Sequence, residues 1–392
     1  MTTSTASTES ARIVIVGAGL AGASAAWRLA QQGEQVLLLE RTAPANAQGS
    51  SHGSARIFRY PYLDPFYTHL VSLARTGWDE LEAAGGQRLI TPSGSLDSGE
   101  IRNPQRLAEI LEAEGVEHEL LSAAQATERW PQFDFTTDVL WHPGAGVIDA
   151  ETTVNTMLSL AESLGAKVLR DWEVAKVTHA DGGYRITSTT GVSVDAEQVV
   201  VTAGGWLPAL LGELGLPAEF IERVPEFQVR QENAYHFPYA DAADAGETPA
   251  DGATSWPTFI YKGHDIQTYG LPGGRDADFR GQKVAEYNGG RVLPSARDQD
   301  GLIDPVNRAR VTEFVKGFAP GLVPESYAET TCLFTNVPGE DMLFDRVEGI
   351  TIVSPCSGQG AKFAPLLGEF VADLVTGTGE VPEQFRARGQ KF

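Results

Sequence analysis

Residues 13–41 read IVIVGAGLAGASAAWRLAQQGEQVLLLER. The first four are apolar and β-branched, the composition of a strand buried on both faces of a parallel sheet. A Gly-rich turn follows at once. Gly17, Gly19 and Gly22 stand as G-x-G-x-x-G, and each has a mechanical reason to lack a side chain. Gly17 permits the tight turn, Gly19 lets backbone approach a pyrophosphate, and Gly22 lets the next helix pack close to the strand. The helix expected over 20–32 aims its free N–H groups and the positive end of its dipole at that phosphate, and Gly33 ends it. A second strand over 35–39 closes the βαβ unit. Glu40 at its end stands about 20 residues beyond the glycines, where a carboxylate accepts hydrogen bonds from an adenosine ribose. Strand, glycines, helix and acid in this order read as a dinucleotide site, without separating FAD from NAD.

The chain has 392 residues, too many for one ordinary core, so two domains are expected. Its 52 acidic and 30 basic residues leave a net charge of -22, which argues against nucleic acid or an anionic membrane surface as partner. No apolar run reaches the roughly 18 residues of a membrane span. Residues 1–10, MTTSTASTES, have neither a basic nor an apolar segment of a signal peptide. A cytoplasmic protein with a disordered tail over 1–10 is expected. In that compartment Cys332 and Cys356 have little need to pair. No metal site is read.

Residues 41–54, RTAPANAQGSSHGS, form a loop by composition. Arg56 and Arg59 follow at i, i+3, a spacing that would share one face of a helical turn. Leu70, Leu73, Ala74, Trp78 and Leu81 predict a helix over 67–84, which Gly85 and Gly86 stop. From residue 89 the run TPSGSLDSG reads as hairpin-like strand and turn, and 103–114 as a helix. Residues 141–151 look like a return crossing into a helix over 151–164. Segments 167–177, 184–190 and 192–195 alternate as a three-stranded meander, and 198–202 is a buried strand. Strand-like pieces at 227–236, 258–261, 266–271 and 283–287 suggest an antiparallel sheet in a second domain. A helix follows over 307–318. The end of the chain gives strands at 330–334 and 349–354, the turn SGQGAKF and a helix over 364–376. The division is a nucleotide-binding domain of 11–85, 146–221 and 329–385, and a substrate domain of 86–145 and 222–328.

Four runs together resemble a known family: GSSHGSARIFR (49–59), VVVTAGGW, TTCLFTNVPGEDMLFD (330–345) and SGQGAKFAPLLGE (357–369). They are similar to monomeric sarcosine oxidase and N-methyltryptophan oxidase, flavoenzymes of the D-amino-acid oxidase structural class, and they occur in that family's order. The resemblance implies an α/β fold with a Rossmann-like FAD-binding domain and a second α+β domain built on an antiparallel sheet. It implies FAD attached through Cys332, which requires a thiolate to attack the flavin methyl. Cys356 is left to packing. Lys283 matches the lysine that activates oxygen, a charge placed to stabilise reduced oxygen in a dry site. Arg59 and Lys362 match the residues that hold the substrate carboxylate. Arg56 matches an arginine against the flavin face, and His52 a histidine near it. Tyr269 retains a pocket tyrosine. Arg41, Ser50, Val174, Ala203, Gly204, Trp206, Gly358 and Gly360 fall to the cofactor. Two positions depart from the family: Tyr287 replaces its histidine and Phe334 its tyrosine, which changes the pocket wall and puts sarcosine itself in question.

The expected activity is FAD-dependent oxidation of a small secondary amino acid by a monomer, with O2 as acceptor and hydrogen peroxide as product. An N-methyl substrate would also yield formaldehyde. The alternatives are a cyclic imino acid of the pipecolate or proline type, an FAD dehydrogenase passing electrons to a quinone or protein partner, and a non-catalytic flavoprotein or NAD-binding regulator.

Overall fold

The computed structural model of the chain describes residues 9–246 and 255–392. Among them the strands form three sheets, of eight, nine and three strands. The first is built on five parallel strands in the order Ile350–Ser354, Ser193–Val201, Glu9–Val16, Val36–Leu39 and Lys167–Leu169. Its central strand is fully buried from Ile13 to Ile15, as a β-branched run covered on both faces must be. One face is covered by the helices Leu20–Gln31, Ala150–Ser163 and Ala364–Thr376, which share one apolar cluster. The other face carries the antiparallel pair Val174–Ala180 and Gly183–Ser188 with Leu207, Leu210 and Phe220.

Helix Leu20–Gln31 lies unusually close to its neighbours. Gly17 has φ +102, and a Cβ there would meet the Thr202 carbonyl oxygen at 2.8 Å. A Cβ on Gly22 would lie 1.9 Å from the Gly17 carbonyl oxygen. On the far side a Cβ on Gly368 would meet the Ser24 carbonyl oxygen at 2.4 Å, and Gly368 N–H donates to Ser24 Oγ at 3.1 Å.

The nine-stranded sheet runs Arg291–Leu293, Gln228–Pro238, Gly281–Glu286, Gln267–Pro272, Thr258–Lys262, Ser95–Ser98, Val139–His142 and Glu119–Leu121, with Ala328–Asn336 on the free edge of Gln228–Pro238. Phe133, Trp256, Phe259 and Phe318 pack one face under helix Pro305–Phe318. The opposite face carries Glu232, Cys332, Phe334, Lys283 and Tyr269, which line a common cavity. A three-stranded sheet of Arg56–Phe58, Gly146–Ile148 and Ile90–Pro92 lies between the large ones.

Several sequence expectations need correction. Arg56 opens a short strand, so Arg56 and Arg59 do not share a helical turn. Residues 90–98 are not a hairpin. Ile90–Pro92 and Ser95–Ser98 join different sheets, turning at Gly94 (φ +67), where the Trp141 ring leaves no room for a Cβ. Segment 167–177 is two strands, broken at Asp171 (φ 55), while 192–202 forms the single strand Ser193–Val201. Leu73 is 46% exposed despite its helical spacing. Glu9 and Ser10 pair with Val194 and Asp195, so the expected tail is ordered at its end. Residues 1–8 lie outside the described residues. Strand Ala328–Asn336, grouped above with the nucleotide domain, is bonded along its length to Gln228–Pro238. Short strands at Glu119–Leu121, Arg291–Leu293 and Leu343–Val347 carried no readable pattern. Among the described residues no helix is long and apolar enough to cross a membrane.

The tight helix entry gives a stability test. Gly22→Ala should lower the unfolding free energy by about 2 kcal/mol or more, because a Cβ is forced into a carbonyl that cannot move freely. Gly212→Ala, where an added Cβ meets nothing within 4 Å, should leave it nearly unchanged. Equal denaturation midpoints for the two variants would refute this account of the helix entry.

Candidate active site

Two adjoining hollows run from the parallel sheet to the nine-stranded one. The first is a groove lined by Gly17, Gly19, Glu40, Arg41, Ser50, Val174, Ala203, Gly204 and Trp206. Gly19 caps helix Leu20–Gln31 with no side chain of its own; Leu20 N–H donates to Ser51 Oγ at 3.0 Å, and the amides of Ala21 and Gly22 remain to face an anion. Glu40 receives the Ala18 N–H at 2.8 Å and the Thr42 N–H at 3.0 Å. A carboxylate has further lone pairs for a ribose hydroxyl. Arg41 lies 4.7 Å above the Trp206 ring. Open glycine backbone, helix N-terminus and carboxylate therefore fit the adenosine diphosphate part of FAD.

The second hollow is a cavity of about 500 Å³. Its lining contains Arg56, Arg59, Tyr269, Lys283, Tyr287, Cys332, Phe334, Gly358 and Lys362, so the sequence expectation brings nine residues from five segments into one space. Arg56 joins the hollows. It donates to the Ser50 carbonyl at 2.9 Å and approaches Cys332 Sγ at 3.7 Å, while Ser50 Oγ donates to the Leu333 carbonyl at 2.7 Å. Gly22, His52 and Gly360 line neither hollow. Gly22 serves helix packing, and a Cβ on Gly360 would strike the Pro355 carbonyl oxygen at 2.2 Å. His52 sits beside the Cys332 thiol and acts on it electrostatically.

The two cysteines have opposite environments. Burial pushes both thiols up; at Cys332 the Arg56 guanidinium, His52 and Lys283 outweigh it and hold the pKa at about 6, against an ordinary 9.0. Cys356 has no cation to offset burial and is pushed up to about 12. Lys283 is 5% exposed, donates to the Ala55 carbonyl at 3.4 Å, and is brought down to about 8 by burial and then by Arg56.

At the other end of the cavity Arg59 lies 4.8 Å over the Tyr62 ring and Lys362 Nζ 5.4 Å from it. Arg59 bonds the Pro61 carbonyl and Lys362 the Gln359 carbonyl at 2.9 Å. Among the described residues neither has an acidic partner. Burial, followed by Arg59, holds the Lys362 pKa well below its usual value. Tyr287 and Phe334 rings meet at 5.8 Å over Gly358, whose φ of +68 and lack of a Cβ make room for both.

Among the cavity residues that sequence reasoning missed, three carry titratable groups of note. Tyr62 Oη is buried with no partner, and burial pushes its pKa up to about 12. Glu232, 2% exposed, stands opposite Cys332 across the ladder. Its Oε2 accepts the Gly290 N–H at 3.0 Å, its Oε1 has no partner, and burial raises its pKa to about 7. Lys262 ends the strand Thr258–Lys262. The signal for Tyr62 was its place three residues after Arg59; Glu232 and Lys262 resemble ordinary exposed strand residues until the sheet is assembled.

Comparison with known proteins agrees with this geometry. The family model described as FAD dependent oxidoreductase (DAO) matches residues 12–374. The chain is 31% identical to human (Homo sapiens) peroxisomal sarcosine oxidase over 374 residues, covering 92% of this chain and 91% of that protein. It is 28% identical to N-methyl-L-tryptophan oxidase of Salmonella agona, covering 93% and 94%. Among solved structures, NikD, an amino acid oxidase of nikkomycin biosynthesis, superposes with a TM-score of 0.82 at 22% identity over 97% of this chain and 98% of that one. L-proline dehydrogenase from P. horikoshii gives 0.79 at 20% identity over 97% of each chain.

The contrast between the cysteines is measurable. In flavin-free protein, iodoacetamide should modify Cys332 with a midpoint near its pKa of about 6 and leave Cys356 unmodified at neutral pH. Peptide mass spectrometry showing equal rates would overturn the electrostatic account of Cys332.

Proposed function

The chain belongs to the FAD dependent oxidoreductase (DAO) family, and we propose that within it this protein is an oxidase of a small secondary amino acid. The substrate class is an N-methyl amino acid such as sarcosine, or a similar small amine. The acceptor is O2, FAD is held through Cys332, and the enzyme acts as a cytoplasmic monomer. The observation that carries the reading is the convergence, in one cavity, of Arg59 and Lys362 at one end with Lys283, Arg56 and Cys332 at the other.

The residues divide the work. Arg59 and Lys362 bind the substrate carboxylate, the guanidinium through two hydrogen bonds and the ammonium as a point charge. That anion restores the proton Lys362 tends to lose. Tyr62, whose ring lies beside both cations, supplies in its hydroxyl an unused donor and acceptor to orient the substrate. Held at both ends, the amine presents an α- or N-methyl C–H at near-attack distance. Bound FAD supplies the acceptor for the hydride equivalent. Lys283 keeps a positive charge where oxygen, on its way to hydrogen peroxide, develops negative charge. Arg56 adds a second charge beside it and Tyr269 walls that end, while Tyr287 and Phe334 wall the end that holds Lys262. The imine product hydrolyses in water, giving formaldehyde from an N-methyl substrate; a cyclic imino acid gives a ring imine and none.

Three outcomes are expected. Acid-precipitated holoprotein should retain flavin on the Cys332 peptide, and Cys332→Ser should release it. Lys283→Met should lose oxygen reactivity by about 100-fold or more while substrate still bleaches the flavin under anaerobic conditions; unchanged peroxide release would point to the dehydrogenase alternative. Arg59→Met should raise KM by about 10-fold or more with N-methyl amino acids and leave N-methylamines that lack a carboxylate unaffected.

A further inference from the structure

The carboxylate grip of the proposed oxidase uses two cations, but the cavity holds a third without an acid. Lys262 lines the cavity, with Nζ 5.6 Å from the Tyr287 ring. Among the described residues its ammonium makes no hydrogen bond or ion pair. Burial, then Arg102 and Arg59, lowers its pKa; Glu340 is the first acid to oppose this, from beyond ion-pair distance. The acids of the cavity accept hydrogen bonds from neutral donors and form no ion pair with the three cations. Glu340 accepts from Asn288 at 3.0 Å, Glu232 from Gly290, Asp341 from Tyr67, and Asp64 from Phe66. Arg102 is already matched by buried Asp97. Arg59, Lys362 and Lys262 thus face one space, and among the described residues none of the three has a carboxylate of the protein within ion-pair distance.

Position adds direction to the charge. Lys262 and Ile260 alternate on the same face of their strand, and Ile260 pairs with Tyr269. Tyr269 lies at the Lys283 end, so Ile260 to Lys262 leads outward by two strand residues, about 6.6 Å. A ligand whose amine sits near Lys283 and whose α-carboxylate meets Arg59 and Lys362 would reach Lys262 with a side chain about as long as that of glutamate. Resting on the proposed function, we propose that the preferred substrate is an N-substituted amino acid with a second, side-chain carboxylate, and that Lys262 is the residue that binds that second acid.

The test compares N-methylglutamate with N-methylglutamine, which differ in charge but little in shape. Wild-type holoenzyme should favour the diacid in kcat/KM by about 10-fold or more, the scale of one partly buried charge pair. Lys262→Met should remove that preference, and Lys262→Arg should restore most of it. A wild-type ratio near one, or a preference that survives in Lys262→Met, overturns the proposal. If neither compound reduces the flavin, the oxidase reading falls instead. Binding then decides on Lys262: glutarate should bind the holoprotein about 10-fold tighter than butyrate, and this difference should vanish in Lys262→Met. Equal binding of the two acids to wild type rejects the second-acid site.

Discussion

Arg56 is the hinge of the architecture. Its guanidinium leaves a strand of the small sheet, holds the Ser50 carbonyl of the loop after the βαβ unit, and reaches Cys332 on the nine-stranded sheet. Its partners come from that loop and from the nine-stranded sheet, so one side chain ties the two together. The groove and the cavity meet at this point. The same charge makes the Cys332 thiol acidic and the Lys283 ammonium easier to deprotonate. One residue therefore sets both the geometry and the electrostatics of the site.

The local parts of this arrangement were legible in the sequence. The βαβ unit, its glycines and Glu40 are determined by contacts within thirty residues or so, and their pattern is nearly free of alternatives. The helix Ala364–Thr376 and its preceding turn fell where the sequence indicated. Arg59, Lys283, Cys332 and Lys362 were found through family motifs, and the structure brings them into one cavity.

What was not legible depends on pairings far apart in sequence. Ile90–Pro92 and Ser95–Ser98 look like one hairpin because turn residues separate two short strands, and only the sheets they join tell them apart. Ala328–Asn336 follows a helix and precedes the last strands of the parallel sheet, yet its partner lies about a hundred residues earlier. Glu232 and Lys262 are single charged residues in strands, a pattern that normally means a solvated face. Their burial follows from sheet pairing that no local window contains.

Strand Gln228–Pro238 is bonded on both edges, to Ala328–Asn336 along one and to Gly281–Glu286 and Arg291–Leu293 along the other. A strand in that position opens only with the whole sheet, so its amides belong to the slowest-exchanging part of such a fold. The wall carrying Glu232 and Cys332 is accordingly the stiff side of the cavity. The opposite rim is built from turns: Gly339 and Glu340 at φ 76 and 58, and Gly358 at φ 68. Motion around the cavity therefore falls to the rim, while the sheet holds the shape of the wall that carries Glu232.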